Sequence, residues 1–217
     1  MKLPRSSDAR RAAMVDALRL VDPRLDRAMR TVPRHEFVPD GFGSIAYDDA
    51  PVPLGPEATA SAPHMVALLI EALDPRSGDR ILEVGAGLGY LAAILAELVG
   101  PDGRVDTVEV DSALASGAAR RLASHGYGSV VRVHCADGTL GLPANAPYDA
   151  IVVSCAAPKL VDAWKAQLRD GGRLVVPVGD AYEQILVTYT RRGAGGSAHE
   201  GVRCRFVPLR RPSTPHI

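Results

Sequence analysis

Three glycines at alternate positions, Gly85, Gly87 and Gly89, stand in the stretch RILEVGAGLGY (Arg80–Tyr90), between an apolar run and the helical pattern LAAILAEL. A strand that turns sharply into a helix needs such residues, because side chains would block the turn and hold a ligand off the backbone. A dinucleotide site asks for G-x-G-x-x-G so that a pyrophosphate can rest on the helix N-terminus, and its third glycine position is Tyr90 here. The loop suits a nucleoside with a small charged tail instead. Two carboxylates go with it: Glu83, within the apolar run ahead of the glycines, and Glu109, closing the run VDTVEVD. Glu109 follows the loop by about 20 residues, where a carboxylate accepts hydrogen bonds from both ribose hydroxyls. The competing assignment for Glu109 is an exposed strand-end acid, while its neighbour Asp111 suits a helix cap. At the end of the third strand-like run, Asp137-Gly138 offers a carboxylate to an adenine amino group and a glycine beside which the base can lie. As a bare Asp-Gly it would be only a turn. Its place at a carboxyl strand end, where open α/β sheets bind ligands, gives the ligand role weight.

The elements that position these residues follow from periodicity. Ser7 and Asp8 are candidate caps for a first helix with Ala12, Val15, Leu18 and Leu20 to one side, and Asp22-Pro23 starts a second carrying Leu25, Ala28 and Met29. His35–Pro63 is rich in proline and glycine without a period, yet too apolar for a tether, so it forms a functional loop or short extended pieces. Pro63 opens a helix with Met65, Leu68, Leu69 and Ala72 at helical spacing. From Arg80 strand and helix alternate, Gly126 marks a helix end, and YDAIVVSCAA (Tyr148–Ala157) is apolar enough for a strand buried on both faces. Pro158 is expected in the first turn of a helix reaching Leu168, and Asp170-Gly171-Gly172 turns into RLVVPV. The last two runs, EQILVTYT and VRCRFVPL, are expected as an antiparallel edge hairpin separated by a flexible RRGAGGSAHEG. This order predicts an α/β fold with a mostly parallel sheet. Residues 1–79 supply N-terminal helices and a loop, residues 80–217 the sheet, in one compact unit.

Composition narrows the partners. In 217 residues, 25 Lys and Arg balance 25 Asp and Glu, so no net field favours nucleic acid or an anionic membrane. No apolar run approaches the length of a membrane span, and the N-terminus lacks a signal-like apolar region, which makes the cytoplasm the expected location. The cysteines Cys135, Cys155 and Cys204 have no CxxC spacing and are expected as buried free thiols. His35, His125, His134, His199 and His216 show no ligand spacing, so no metal is expected.

GPEATASAPHM (Gly55–Met65), VPRHEFVP and PYDAIVV together resemble the protein-L-isoaspartate O-methyltransferase family, whose loop reads approximately G-x-Q-A-T-I-S-A-P-H-M. Further matches, from DPRLDRAMRT through LRDGGRLVVPVG to RFVPL, run in the family's order over nearly the whole chain. The resemblance implies a Rossmann-like, seven-stranded S-adenosylmethionine-dependent fold. It also implies methyl transfer to the α-carboxylate of L-isoaspartyl residues in damaged proteins, followed by closure of the ester to a succinimide, and a cytoplasmic monomer. Ser61 becomes the active-site hydroxyl, with capping of the helix opened by Pro63 as its alternative role. Thr59 closes over the cofactor, Ala60 and His64 border the substrate, and Val207 and Pro208 belong to a terminal strand offering backbone hydrogen bonds to an extended peptide. Their alternative is edge-strand core, and Trp164 is expected to pack. The chain departs from the family at Glu57 or Ala58, where glutamine is common, and at Ala60, where isoleucine is usual. Glu57 adds negative charge where an anionic substrate is expected to enter, so Glu57→Gln is expected to raise peptide affinity. A methyltransferase dedicated to one peptide, and a module that binds peptide or cofactor without turnover, remain the alternatives.

Overall fold

The computed structural model describes residues 6–55 and 57–212; Pro56 and His216 lie outside them. Three parallel strands make one half of the main sheet: β3 (Arg80–Val84), β4 (Arg104–Glu109) and, at the edge, β5 (Val131–Cys135). On the other side of β3 come β6 (Tyr148–Val153), β7 (Leu168–Gly179), β8 (Gln184–Arg192) and β9 (Gly195–Cys204), in the order β5-β4-β3-β6-β7-β8-β9. The last two pairings are antiparallel. An earlier hairpin, β1 (Val52–Gly55) with β2 (Ala58–Ala60), accounts for the short extended pieces expected before Pro63.

Alternation along the strands divides the core between the sheet's two faces. Ile81, Val105 and Val152 face a cluster shared with α1 (Ser7–Leu18), α2 (Pro23–Thr31), α3 (Pro63–Leu73) and α4 (Tyr90–Val99). Leu82, Val84, Ile151 and Val153 face the cluster around Trp164. The crossover from β4 to β5 is α5 (Ser112–Ser124), capped by Asp111, whose Oδ1 accepts from the N–H of Ala113 and Leu114. Gly126, at φ +83, follows it in the expected left-handed conformation.

Several expectations are corrected. Helix α1 is capped by Ser6, not Ser7 or Asp8, and it buries Met14 and Val15, with Leu20 beyond its end. Helix α3 turns Val66, Ala67, Leu69, Ile70 and Leu73 inward, leaving Met65 only half-buried. Its sequence is apolar nearly all round, so periodicity alone does not orient it. Pro158 starts no helix; α6 runs only from Asp162 to Ala166, because Ala156 and Ala157 are held in parallel bridges to Pro208 and Val178. The segment expected to be flexible is mostly strand β9, joined to β8 through a turn at Gly193. Only VRC of the run VRCRFVPL belongs to that strand. Beyond Cys204 the chain leaves β9: the buried side chain of Gln184 accepts from Phe206 N (2.7 Å) and donates to Phe206 O (3.1 Å). The chain then crosses to Ala156, whose N–H donates to Val207 O and whose carbonyl accepts from Leu209 N, both at 2.8 Å. Of the cysteines, Cys155 is buried, Cys204 half-buried, and Cys135 exposed because it ends the edge strand β5.

Candidate active site

The carboxyl ends of β3 and β4 open onto a small cavity of about 70 Å³, floored by Gly85, Gly87 and Glu109. All three loop glycines have positive φ: +99 at Gly85, +53 at Gly87 and +92 at Gly89. A side chain at Gly85 would place its Cβ 2.5 Å from Ser154 Oγ, which donates to Gly85 O at 2.7 Å. The turn is therefore required by the protein's own packing as well as by any ligand. The same holds at Gly138, where a Cβ would meet Val84 Cγ1 at 2.6 Å; Gly138 lines the cavity, and its carbonyl accepts from the buried Trp164 Nε1 at 2.8 Å. Gly89 sits against Leu122 at the start of α4, away from the cavity lining.

Glu109 is buried, at 6% exposure, which removes the exposed-acid alternative. Its Oε2 accepts from Gly87 N (2.9 Å) and its Oε1 from Asp111 N (3.1 Å), with Arg210 3.7 Å away, so the carboxylate is aimed at the glycine loop. Asp137 spends one oxygen on Thr139, from both N–H (2.9 Å) and Oγ1 (2.7 Å), and does not line the cavity.

A second cavity, about 40 Å³, continues from the first across Thr59, Gly85, Gly87 and Ser154. Glu83 lines it, fully buried, and neither carboxylate oxygen has a hydrogen-bond partner among the described residues. Burial pushes its pKa from 4.5 up to about 8; Thr107 across the β3–β4 pair pulls it down only partly, and without a hydrogen bond of normal geometry. An unpartnered buried carboxyl beside positive-φ glycines fits a cationic group such as an α-ammonium.

Arg34 is the residue that sequence reasoning missed. It is 1% exposed, its Nε donates to Ala46 O and one terminal nitrogen to Ser61 O, both at 2.8 Å, and its guanidinium stacks 4.8 Å over the Tyr90 ring. Desolvation lowers its pKa, and three fixed contacts hold it in place. It ties the loop before β1, the segment carrying Ser61 and the start of α4 to one another. An arginine in VPRHEFV carries no sign of burial, so only the folded chain reveals this role.

The third space is a groove of about 690 Å³, lined by Ser61, His64, Met65 and the chain from Arg203 to Pro208. Ser61 does not cap α3; the N-cap is Ala62, without a side-chain hydrogen bond. Asp49 fills that role, accepting from His64 N at 2.9 Å and contacting His64 Nδ1 at 2.8 Å. Ala60 lines the second cavity rather than the groove. Glu57 lines the first cavity and not the groove. Thr59 borders all three spaces, Ser61 the groove and the second cavity, and Val207 and Pro208 the groove and the first. Val207 and Pro208 are neither strand nor buried core; they are a strap between two spaces.

The model of the protein-L-isoaspartate(D-aspartate) O-methyltransferase family matches residues 10–213. The chain belongs to this family. Among its curated relatives, the protein-L-isoaspartate O-methyltransferase of Methanopyrus kandleri is 50% identical over 188 residues, covering 86% of this chain and 83% of that one. That of Rhodopseudomonas palustris is 51% identical over 190 residues, covering 87% and 85%. A solved protein-L-isoaspartate O-methyltransferase superposes with a TM-score of 0.84 at 28% identity over 91% of this chain; the match spans 65% of that longer chain. A Plasmodium falciparum structure of the family, solved with S-adenosyl-L-homocysteine, has a TM-score of 0.82 at 22% identity, covering 92% of this chain and 98% of that one, and shares the fold. The family assigned from TASAPHM and PYDAIVV is thus the family of the whole chain, and the seven-stranded sheet is its methyltransferase sheet.

Proposed function

We propose that the protein is an S-adenosylmethionine-dependent methyltransferase acting on the α-carboxylate of L-isoaspartyl residues in damaged proteins and peptides, leaving S-adenosyl-L-homocysteine. One observation carries the proposal: Thr59, Ser61 and the Val207-Pro208 strap stand between the two connected cavities over the glycine loop and the larger open groove. Bound S-adenosylmethionine supplies a methyl group already activated on a sulfonium. Glu109 accepts from ribose hydroxyls, Glu83 pairs with the tail ammonium, and Gly85, Gly87 and Gly138 let the nucleoside lie against backbone.

The acceptor carboxylate is ionised at neutral pH, so no strong general base is needed. Catalysis is then positioning and electrostatic preorganisation. The Ser61 hydroxyl donates to one carboxylate oxygen and leaves the other free to attack; Arg34, holding the Ser61 carbonyl, fixes where that hydroxyl stands. His64, braced by Asp49, forms the groove wall, and the strap keeps water from the junction. Among the described residues no helix is long and apolar enough to cross a membrane, and we read the protein as a monomeric cytoplasmic repair enzyme.

A methyl-transfer assay on paired aspartyl and isoaspartyl peptides tests this. Transfer confined to the isoaspartyl member of several unrelated pairs is expected. Transfer to aspartyl in a single peptide would replace the proposal with a dedicated peptide methyltransferase, and cofactor binding without transfer would replace it with a binding module.

A further inference from the structure

We propose that the groove selects isoaspartyl peptides with acidic neighbouring side chains and that Arg205 is the residue that selects them, an inference that rests on the groove being the peptide site. Arg203 and Arg205 line the groove where the chain leaves β9 and before it is pinned to Ala156. No aspartate or glutamate is found among the described residues of that lining. The carboxylates just outside it are occupied. Asp49 takes His64 through both N–H and ring, Asp180 accepts from the N–H of Tyr182 and Glu183, and Glu183 stands 3.5 Å from Arg203. Arg205 is exposed and has no ion-pair partner among the described residues.

Of the remaining lining, Ala62, Met65, Phe206 and Pro208 are apolar, Thr59 and Ser61 are uncharged and His64 is held by Asp49, so no carboxylate there balances the guanidinium. Low-polarity walls strengthen a charge pair that forms between them. A guanidinium also presents a planar fork that fits a carboxylate bidentately. An acidic side chain beside the isoaspartyl residue gains this contact, and a basic one is repelled, so discrimination works in both directions.

The test uses three isoaspartyl peptides of equal length, with acidic, neutral or basic neighbours. Methyl-transfer KM and binding by fluorescence anisotropy are both measured, each at low and high salt. The acidic peptide is expected to have a KM about two- to fivefold below the neutral one, with the advantage shrinking in high salt. Arg205→Gln is expected to raise the acidic peptide's KM to that of the neutral peptide, and Arg205→Glu to invert the order. Glu183→Gln, which releases Arg203, is expected to widen the advantage, a gain that a damaged protein would not produce. Equal KM values for the three peptides in the unaltered protein would overturn the proposal. So would an equal loss on acidic and neutral peptides in Arg205→Gln, since that places the guanidinium on the reacting carboxylate. If no peptide is methylated, the activity proposed above fails, while the anisotropy order still decides the charge selectivity.

Discussion

The slot over the glycine loop and the groove beside it meet at Thr59, yet they are assembled from different kinds of neighbours. The floor of the slot comes from adjacent strands: Val84 beside Val108, Glu109 at the end of β4, Ser154 just after β6. Sheet register places those groups, so a short local pattern in each strand is enough to build the floor. The groove draws its walls from Thr59, the start of α3, Ala181 and the chain from Arg203 to Pro208; the register of β9 on β8 places Arg203 and Cys204, but no sheet register relates them to α3. Two buried side chains hold it together instead, Arg34 on the Ser61 side and Gln184 on the Phe206 side. The difference teaches that the cavity over the glycine loop is built by sheet register, whereas the groove beside it depends on long-range tethers.

Substitutions on the two sides of Thr59 should therefore separate cofactor affinity from peptide handling. The largest effect is expected at Glu109. Glu109→Ala removes a carboxylate that serves both the loop and the ribose position, and S-adenosyl-L-homocysteine affinity should fall about 100-fold, while peptide binding in the groove, read by anisotropy, changes less than about twofold; a matching loss of peptide binding would erase the distinction between the regions. Ser61→Ala should lower kcat about 10- to 100-fold and leave cofactor affinity, measured by calorimetry, nearly intact. If the variant instead loses thermal stability with no selective loss of turnover, the hydroxyl is structural.

Glu83 gives a pH signature confined to the slot. Its folded pKa lies above the unfolded value, so the stability it contributes is complete below about pH 4.5 and is lost as pH rises towards about 8. Relative to Glu83→Gln, the unaltered protein should lose stability across that window by at most ~1.4 kcal/mol per pH unit, followed by thermal unfolding. Because burial raises the Glu83 pKa to about 8, pairing with an ammonium, as proposed, should release a proton near pH 7. Calorimetry of S-adenosyl-L-homocysteine binding in two buffers of different ionisation enthalpy should register that release, and Glu83→Gln should abolish it. The smallest effect is expected at Glu57, which is exposed on the slot side. Glu57→Gln should weaken the sulfonium cofactor about two- to threefold relative to its neutral product and leave peptide affinity alone, reversing the expectation drawn from the sequence.

Legibility follows the same division. The glycine loop, Glu109, the Asp111 cap and the alternation from Arg80 to Val153 could be read directly, because each depends on residues near in sequence or on strand period. Ser61 is legible only through the family motif, and its capping alternative is removed by Asp49, which accepts from His64 N at the start of α3. The terminal segment was misread as strand throughout, since nothing in VRCRFVPL shows that Gln184 would satisfy both backbone groups of Phe206. The family motif sets Ala60 against the substrate, and the charge of Glu57 is expected at the substrate's entrance. The β1–β2 hairpin places Glu57 on the first cavity and Ala60 on the second, and neither lines the groove.

By itself, then, the sequence determined the α/β sheet, the loop that accepts a nucleoside and the family to which the chain belongs, all of which rest on local conformational preference and short-range spacing. Only the tertiary structure decided where Arg34 lies, which side of Thr59 each loop residue faces, and that Val207-Pro208 is a strap rather than a strand. Those outcomes depend on buried polar groups finding partners far away along the chain, and a linear pattern does not contain the identity of such partners.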